Sequence, residues 1–298
     1  MYLDKTKKKK HIWAYAFFIL IVCNIFVWHL LFAKNNGLLT VAVLDVGQGD
    51  GIYVESPSGH QMLVDAGPQG KILKALPSAM SFYDKSIDVI VITNPDADHI
   101  AGFIDILKNY KVGLVVEPGT FNKSATYAKI EQMIAEKNIP RILAKRGMKI
   151  HMGGGAVFTV LFPDRDVSNW SVNDASVVGR LTYGKTSIML TGDSTKKTEG
   201  IILSENQASG LKSDVLKVGH HGSRTSTSPD FVSAISPVYA VMSDGKENSY
   251  GHPHKETLST LEKFKVKILR TDLLGTIIIK SDGQSIWLVS LLAEARNI

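Results

Sequence analysis

The chain contains one cysteine, Cys23, in 298 residues. It therefore cannot build an intramolecular disulfide framework or a CxxC-type zinc site, and no disulfide partner is expected. Low-complexity linkers and short-period repeats are absent after residue 38, so the body reads as one domain. With 44% apolar and 21% charged residues, the composition also excludes a wholly disordered chain. Charge of one sign is missing from most of the sequence. The formal net charge is +6, but residues 1–34 hold six lysines against one acid, whereas residues 35–298 carry 28 basic and 27 acidic side chains. The body is nearly neutral, and its bulk charge does not call for a polyanionic partner.

What is present begins with Lys5, Lys7, Lys8, Lys9 and Lys10, followed by IWAYAFFILIVCNIFVWHLLFA over residues 12–33. Those 22 positions carry no formal charge, and only Asn24 and His29 interrupt their apolar character. About 20 apolar residues cross a bilayer core as a helix. A lysine run directly before such a span holds the N-terminus in the cytoplasm. Residues 1–34 are thus expected to be a basic cytoplasmic tail and an uncleaved transmembrane signal anchor. Residues 35–298 are then expected outside a cell membrane crossed once. A cleaved signal peptide shares this charge order, but it needs a shorter apolar core and a small-x-small site, and Leu31-Phe32-Ala33 supplies neither. A buried core helix is a poor fit to the polybasic flank.

From Leu38 onward, short β-rich runs alternate with amphipathic stretches. Strands are predicted at 39–46, 51–56, 61–65, 87–93, 112–117, 141–145, 156–162, 176–183, 186–191, 214–218, 237–242, 266–270, 275–280 and 284–289. Helical spacing occupies 99–110, 124–138, 194–208 and 254–265. Tyr183-Gly184-Lys185-Thr186 separates two strands as a hairpin turn. The fold class expected is α/β, with two sheets covered by helices.

Chemistry concentrates at the ends of these strands. Thr93-Asn94-Pro95-Asp96-Ala97-Asp98-His99 follows the strand IDVIVI and opens a helix. Asp96, Asp98 and His99 place oxygen and nitrogen donors within four residues, and close carboxylates favour a divalent cation between them. A turn with a helix N-cap would use the same aspartates. Three further strand ends repeat the arrangement, however: Asp65 before Gly67, Asp193 after Gly192, and the pair His220-His221 after Gly219. Together they supply enough donors for two metal ions, with either histidine of the pair as ligand.

In order, LDVGQGDG (44–51), LVDAG (63–67), PDADHIAG (95–102), NDASVV (173–178), LTGD (190–193), LKVGHHGSRTSTS (216–228) and SYGHPH (249–254) resemble the metallo-β-lactamase superfamily. Within it, they resemble the hydrolase domain of ComEC-like DNA-uptake proteins. The resemblance covers nearly all of residues 38–290. It implies a four-layered αββα sandwich with a binuclear metal site at one edge. It assigns Asp193 as the bridging ligand, with Asn94, Asp96, Asp98, His99, His220 and Asp65 as the other metal positions. Gln48, Asp50, Asn173, Ser176, His221 and Ser223 are further residues expected to line the site.

Two departures bear on the metal. Asn94 stands where the superfamily signature has its first histidine, and Asp96 where it has the second. An oxygen-rich set shifts preference from Zn²⁺ toward Mn²⁺, with Mg²⁺ also compatible. In the expected mechanism Asp65 or Asp98 orients a water, and His252 stabilises developing charge or protonates the leaving oxygen. Lys196, Lys197, Lys212, Lys217 and Arg224 gather in sequence around TGD and HHGS, and Lys217 and Arg224 are the expected phosphate contacts. No aromatic run marks a stacking platform. The expected activity is a metal-dependent phosphodiesterase acting on DNA, single-stranded by preference, and a role in uptake would need a membrane channel partner. Alternatives are the same hydrolase acting on a wall-polymer phosphodiester or a non-nucleic-acid ester, or a binding module whose metal site Asn94 has weakened.

Overall fold

The computed structural model describes residues 3–32, 37–81 and 83–289. The chain divides into two compact units, Met1–Asn36 and Gly37–Ile298. The first is the helix α1 (Leu3–Phe32), whose side chains are described for residues 13–28. There Trp13, Tyr15, Phe17, Phe18, Phe26 and Trp28 are all exposed. Among the described residues, no helix is long and apolar enough to cross a membrane. The lysine run and both ends of the expected span lie outside the described side chains.

The second unit contains two sheets. In chain order the strands are β1 (Leu39–Val43), β2 (Gly51–Glu55), β3 (Gln61–Ala66), β4 (Ser86–Val91), β5 (Lys111–Glu117), β6 (Arg141–Leu143), β7 (Lys149–His151), β8 (Val157–Phe162), β9 (Val178–Tyr183), β10 (Thr186–Leu190), β11 (Val215–Lys217), β12 (Tyr239–Met242), β13 (Lys267–Arg270), β14 (Ile277–Ser281) and β15 (Ile286–Val289). One sheet runs β15-β14-β1-β2-β3-β4-β5-β6, the other β13-β12-β11-β10-β9-β8-β7. The helices are α2 (Ile72–Ala75), α3 (Ala97–Ile100), α4 (Phe103–Asn109), α5 (Ala125–Glu136), α6 (Lys196–Glu205), α7 (Ala208–Leu211), α8 (Pro229–Ile235), α9 (Lys255–Lys263) and α10 (Thr271–Leu274).

The layers follow from the two-residue side-chain period of the strands. Val41, Val43, Ile52, Val54, Met62 and Val64 point toward Phe158, Val160, Leu181, Ile188 and Val215 of the opposite sheet. Their alternates Ala42, Tyr53 and Leu63 face Phe103, Ile106, Ile130 and Met133 of α4 and α5. On the far side, Met189, Leu216 and Ala240 meet Ile202, Phe231, Val232 and Leu261 of α6, α8 and α9. These three cores between four layers make the expected αββα sandwich.

The helix predicted over 99–110 is in fact two, α3 and α4. A Cβ on Gly102 would stand 2.0 Å from the Ala66 carbonyl oxygen, and the Gly102 N–H donates to the Gly67 carbonyl at 2.8 Å. That close backbone approach breaks the helix and pins it to the end of β3. β7 and α8 fall in segments for which the periodicity predicts nothing.

Candidate metal centre

β3 pairs with β4 in parallel, as β10 does with β11, so within each sheet these carboxyl ends share an edge. The two edges are tied together there. The Val177 N–H donates to the Thr93 carbonyl at 2.8 Å, the His220 N–H donates to the Gly192 carbonyl at 3.1 Å, and Gly192 packs on Thr93. Donors from both sheets therefore converge.

Asp98, His99, Asp193 and His221 form one group whose donor atoms all lie within 4.8 Å of one another. His99 Nε2 is 3.2 Å from Asp193 Oδ2, and His221 Nε2 is 3.4 Å from both Asp193 Oδ1 and Asp98 Oδ2. A tetrahedron with metal–ligand bonds of about 2.1 Å has edges of about 3.4 Å. His99 Nε2, His221 Nε2 and Asp193 Oδ1 are buried without a hydrogen-bond partner. Orphaned donors at that spacing fit one divalent cation.

Electrostatics agree with this reading. Burial by itself would raise the Asp193 carboxyl, yet the His221 and His99 rings pull it far below the usual carboxylate range. Burial would lower the His221 ring, but the Asp193 and Asp50 carboxylates lift it to about 10. His99 is also lifted well above its ordinary value, against burial, by Asp193 and Asp65. Protons on the two rings thus balance the acids in the metal-free cluster. Because His221 is raised, its proton stabilises the metal-free fold at low pH, and that contribution is lost as pH rises toward about 10. Metal uptake must displace such protons, so affinity should rise with pH between 6 and 9, by up to about tenfold per unit for each proton released. Calorimetry in buffers of different ionisation enthalpy measures this release. Uptake without proton release would contradict the assignment.

The other expected residues take different places. His220 stands at the rim, with Nε2 3.6 Å from Asp193 and Nδ1 3.0 Å from Thr225 Oγ1, so the group of four draws on His221 instead. Asn94 is buried: its Oδ1 accepts from the Asp96 N–H at 3.0 Å and its Nδ2 faces Ser176 Oγ at 3.5 Å. Asp96 lies beside the cluster, where its Oδ1 accepts from Asn122 at 3.0 Å. Asn173 Oδ1 is buried and unpartnered, while Ser223 closes the 220–225 loop through its N–H to the His220 carbonyl. Gln48 accepts from the Gly245 N–H at 3.3 Å, bracing one site loop against another.

Asp65, Asp50 and His99 form a second group of close donors. Asp65 is fully engaged: Oδ1 accepts from the Thr93 N–H at 2.8 Å, and Oδ2 accepts from the Thr93 hydroxyl at 2.5 Å and faces His99 Nδ1 at 2.8 Å. It backs His99 rather than meeting water, contrary to the expected base. Lys217, expected on a phosphate-facing rim, is instead 1% exposed, with its ammonium 2.8 Å from Asp50 Oδ2. The rim dissolves further, because Lys197 lies 3.7 Å over the Trp170 ring and pairs with Asp174 at 3.2 Å. Arg224 remains exposed, 3.8 Å from Glu256. Burial and the neighbouring His221 and His220 rings push His252 down to about 4, so near neutral pH it is an uncharged imidazole and not the expected proton donor.

Four contributors escaped the sequence reading. The Ser243 carbonyl lies 2.8 Å from His221 Nδ1, and the Thr93 hydroxyl and Asn122 hold Asp65 and Asp96. Tyr250 is 63% exposed and stacks on His252 at 5.7 Å between ring centroids. The ordinary residue types involved give no signal in one sequence.

The model of the metallo-beta-lactamase superfamily matches residues 44–243. The chain belongs to that superfamily. Its curated relatives include "ComE operon protein 3" of Bacillus subtilis (strain 168), 33% identical over 258 residues that cover 80% of this chain and 32% of the relative. "Competence protein ComA" of Neisseria gonorrhoeae is 30% identical over 238 residues, covering 80% of this chain and 31% of the relative. The chain thus spans about a third of the curated relatives it matches. Among solved structures, Igni18, a metallo hydrolase of Ignicoccus hospitalis, shares the fold at a TM-score of 0.51 and 15% identity, over 80% of this chain and 98% of that one. Membership and the Asp/His cluster together make this a metallo-hydrolase fold suited to divalent metal ions.

Proposed function

We propose that the protein is a metal-dependent phosphodiesterase acting on DNA outside the membrane. The convergence of Asp98, His99, Asp193 and His221 carries this reading. Bound divalent metal would supply Lewis acidity to a phosphoryl oxygen and an activated water. Asp193 reaches both histidines and would be the residue shared if two cations, Zn²⁺ or Mn²⁺, bind; Asp96, Asn94 and Asn173 would be the candidate donors to the second. Asp98, a third exposed, is the acid open to an incoming water. His252, uncharged and within 6.3 Å of the His221 ring, can donate one hydrogen bond to a phosphoryl or leaving oxygen.

A relative named as a competence protein supports DNA as the substrate. Tyr250 adds a structural reason: its exposed ring, stacked on His252 beside the centre, offers a face for an unpaired base. One stacked base contributes about 1–3 kcal/mol. Tyr250→Ala should therefore weaken single-stranded DNA binding by between about fivefold and a hundredfold, and leave binding of an abasic oligonucleotide unchanged. Equal losses on both ligands would remove Tyr250 from base recognition. The direct test is hydrolysis of single-stranded DNA by the full chain with Mn²⁺, Zn²⁺ or Mg²⁺. Turnover abolished by a chelator is expected. Metal binding without turnover on DNA would favour the wall-polymer or ester substrate, or the binding module.

The apolar side chains from Trp13 to Trp28, following the lysine run, support a single-pass anchor with a cytoplasmic N-terminus. A role in DNA uptake would then join this domain to a separate membrane channel. External protease should digest the domain in intact cells, whereas full protection would reverse the topology.

A further inference from the structure

Lys217 is the most deeply buried lysine described, and the reaction outlined above makes no use of it. It projects from the last position of β11, and its ammonium reaches Asp50, in the loop before β2 of the opposite sheet, at 2.8 Å. It also donates to the Val218 carbonyl at 2.9 Å. Both side chains of the ion pair are about 1% exposed. A buried ion pair rarely stabilises a fold more than apolar residues of the same volume would, and breaking one partner is costly. Its presence in this place therefore points to what Asp50 touches.

Asp50 meets the metal cluster twice. Its Oδ1 lies 3.3 Å from His221 Nδ1, which also faces the Ser243 carbonyl at 2.8 Å. Its backbone N–H donates to the Asp98 carbonyl at 3.2 Å. A carbonyl can only accept, so Nδ1 carries a hydrogen, and Nε2 is the nitrogen that would give up its proton and offer a lone pair to a cation held with Asp98 and Asp193. An adjacent carboxylate increases the basicity of that nitrogen. Without Lys217, the Asp50 carboxylate would be an uncompensated buried charge, free to turn toward the cluster and compete for the cation.

We infer that Lys217 is a positioning residue: it neutralises Asp50 and fixes its carboxylate, which in turn holds His221 and the Asp98 backbone in their metal-binding orientation. Lys217 acts as a built-in cation behind the metal centre and touches neither metal nor substrate. This rests on the metal-centre reading.

The test measures Zn²⁺ and Mn²⁺ dissociation constants of the full chain by competition with a fluorescent chelator, and compares Co²⁺ ligand-field spectra. Lys217→Met and Asp50→Asn should each weaken metal binding about ten- to a hundredfold, the usual effect of losing an outer partner of a ligand. Each should also change the Co²⁺ band through a displaced His221. The decisive readout is the double variant: if Lys217 acts through Asp50, Lys217→Met adds nothing in the Asp50→Asn background. A folded Lys217→Met protein with wild-type affinity overturns the inference, as do multiplicative effects in the double variant. Should Lys217→Met fail to fold, the double variant, free of both buried charges, carries the test, and wild-type affinity in it overturns the inference. A wild-type chain that binds neither metal instead defeats the metal-centre reading itself.

Discussion

Asp193→Ala is expected to abolish metal binding at the cluster and to lower metal-dependent phosphodiester hydrolysis by about a thousandfold or more. Asp193 alone reaches both histidines, through Oδ2 to His99 at 3.2 Å and Oδ1 to His221 at 3.4 Å. Removing it takes two donor atoms from one group of four residues. Lewis-acid stabilisation by bound metal contributes several kcal/mol to such a reaction, and about 4 kcal/mol corresponds to a thousandfold. The metal-free fold should survive. Without the Asp193 carboxylate, His99 and His221 lose a main reason to hold their protons, and both can become neutral rather than remain as buried charges. Metal titration and circular dichroism on the variant check the two halves separately. A folded variant that still binds metal and turns over at the wild-type rate would remove Asp193 from the site.

Much of this arrangement was legible because strand-end acids and histidines next to small residues form a pattern that turns alone do not explain. The β-rich run at 39–46 was likewise legible as a strand of two sheets covered by helices. What the pattern could not show was direction. Asp65 and Asp98 look alike as strand-end acids, yet one is sealed behind His99 while the other is a third exposed. Lys217 sits within the run DVLKV and reads as a rim cation, because no local rule reports that its ammonium meets a carboxylate from the other sheet. His220 and His221 are adjacent in sequence. Both adopt left-handed backbone, with φ of 48° and 53°, and this sharp turn sends one ring to the rim and buries the other. A pairwise choice of that kind depends on the chain 20 and more residues away, at Ser243 and Asp50.

Gly49→Ala is expected to damage the metal centre without altering any donor. The glycines of Gly47-Gln48-Gly49-Asp50 could be explained by a tight turn alone, but the structure separates their reasons. Gly47 has φ of +77° and open space where a Cβ would lie; Gly49 has φ of +132°, and its Cβ would fall 2.1 Å from the Asp98 carbonyl oxygen. Backbone cannot yield there as a flexible side chain would. The Gly49 carbonyl is held by Ser243 Oγ at 2.7 Å, and the next N–H, of Asp50, is bonded to that same Asp98 carbonyl. An added methyl must therefore push the Asp98 loop away from Asp193 and His221. Alanine at Gly47 should cost about 1 kcal/mol of stability from the left-handed backbone and leave metal affinity unchanged. Alanine at Gly49 should cost more, since a sparsely populated conformation adds about 1–3 kcal/mol before any clash, and weaken metal binding at least about tenfold, as loss of support for a ligand does. Thermal unfolding with chelator present and metal titration without it distinguish the two effects. If both variants lose metal affinity equally, strain in the turn is responsible and the contact with Asp98 is not; if neither does, Asp98 does not depend on this turn for its place at the metal.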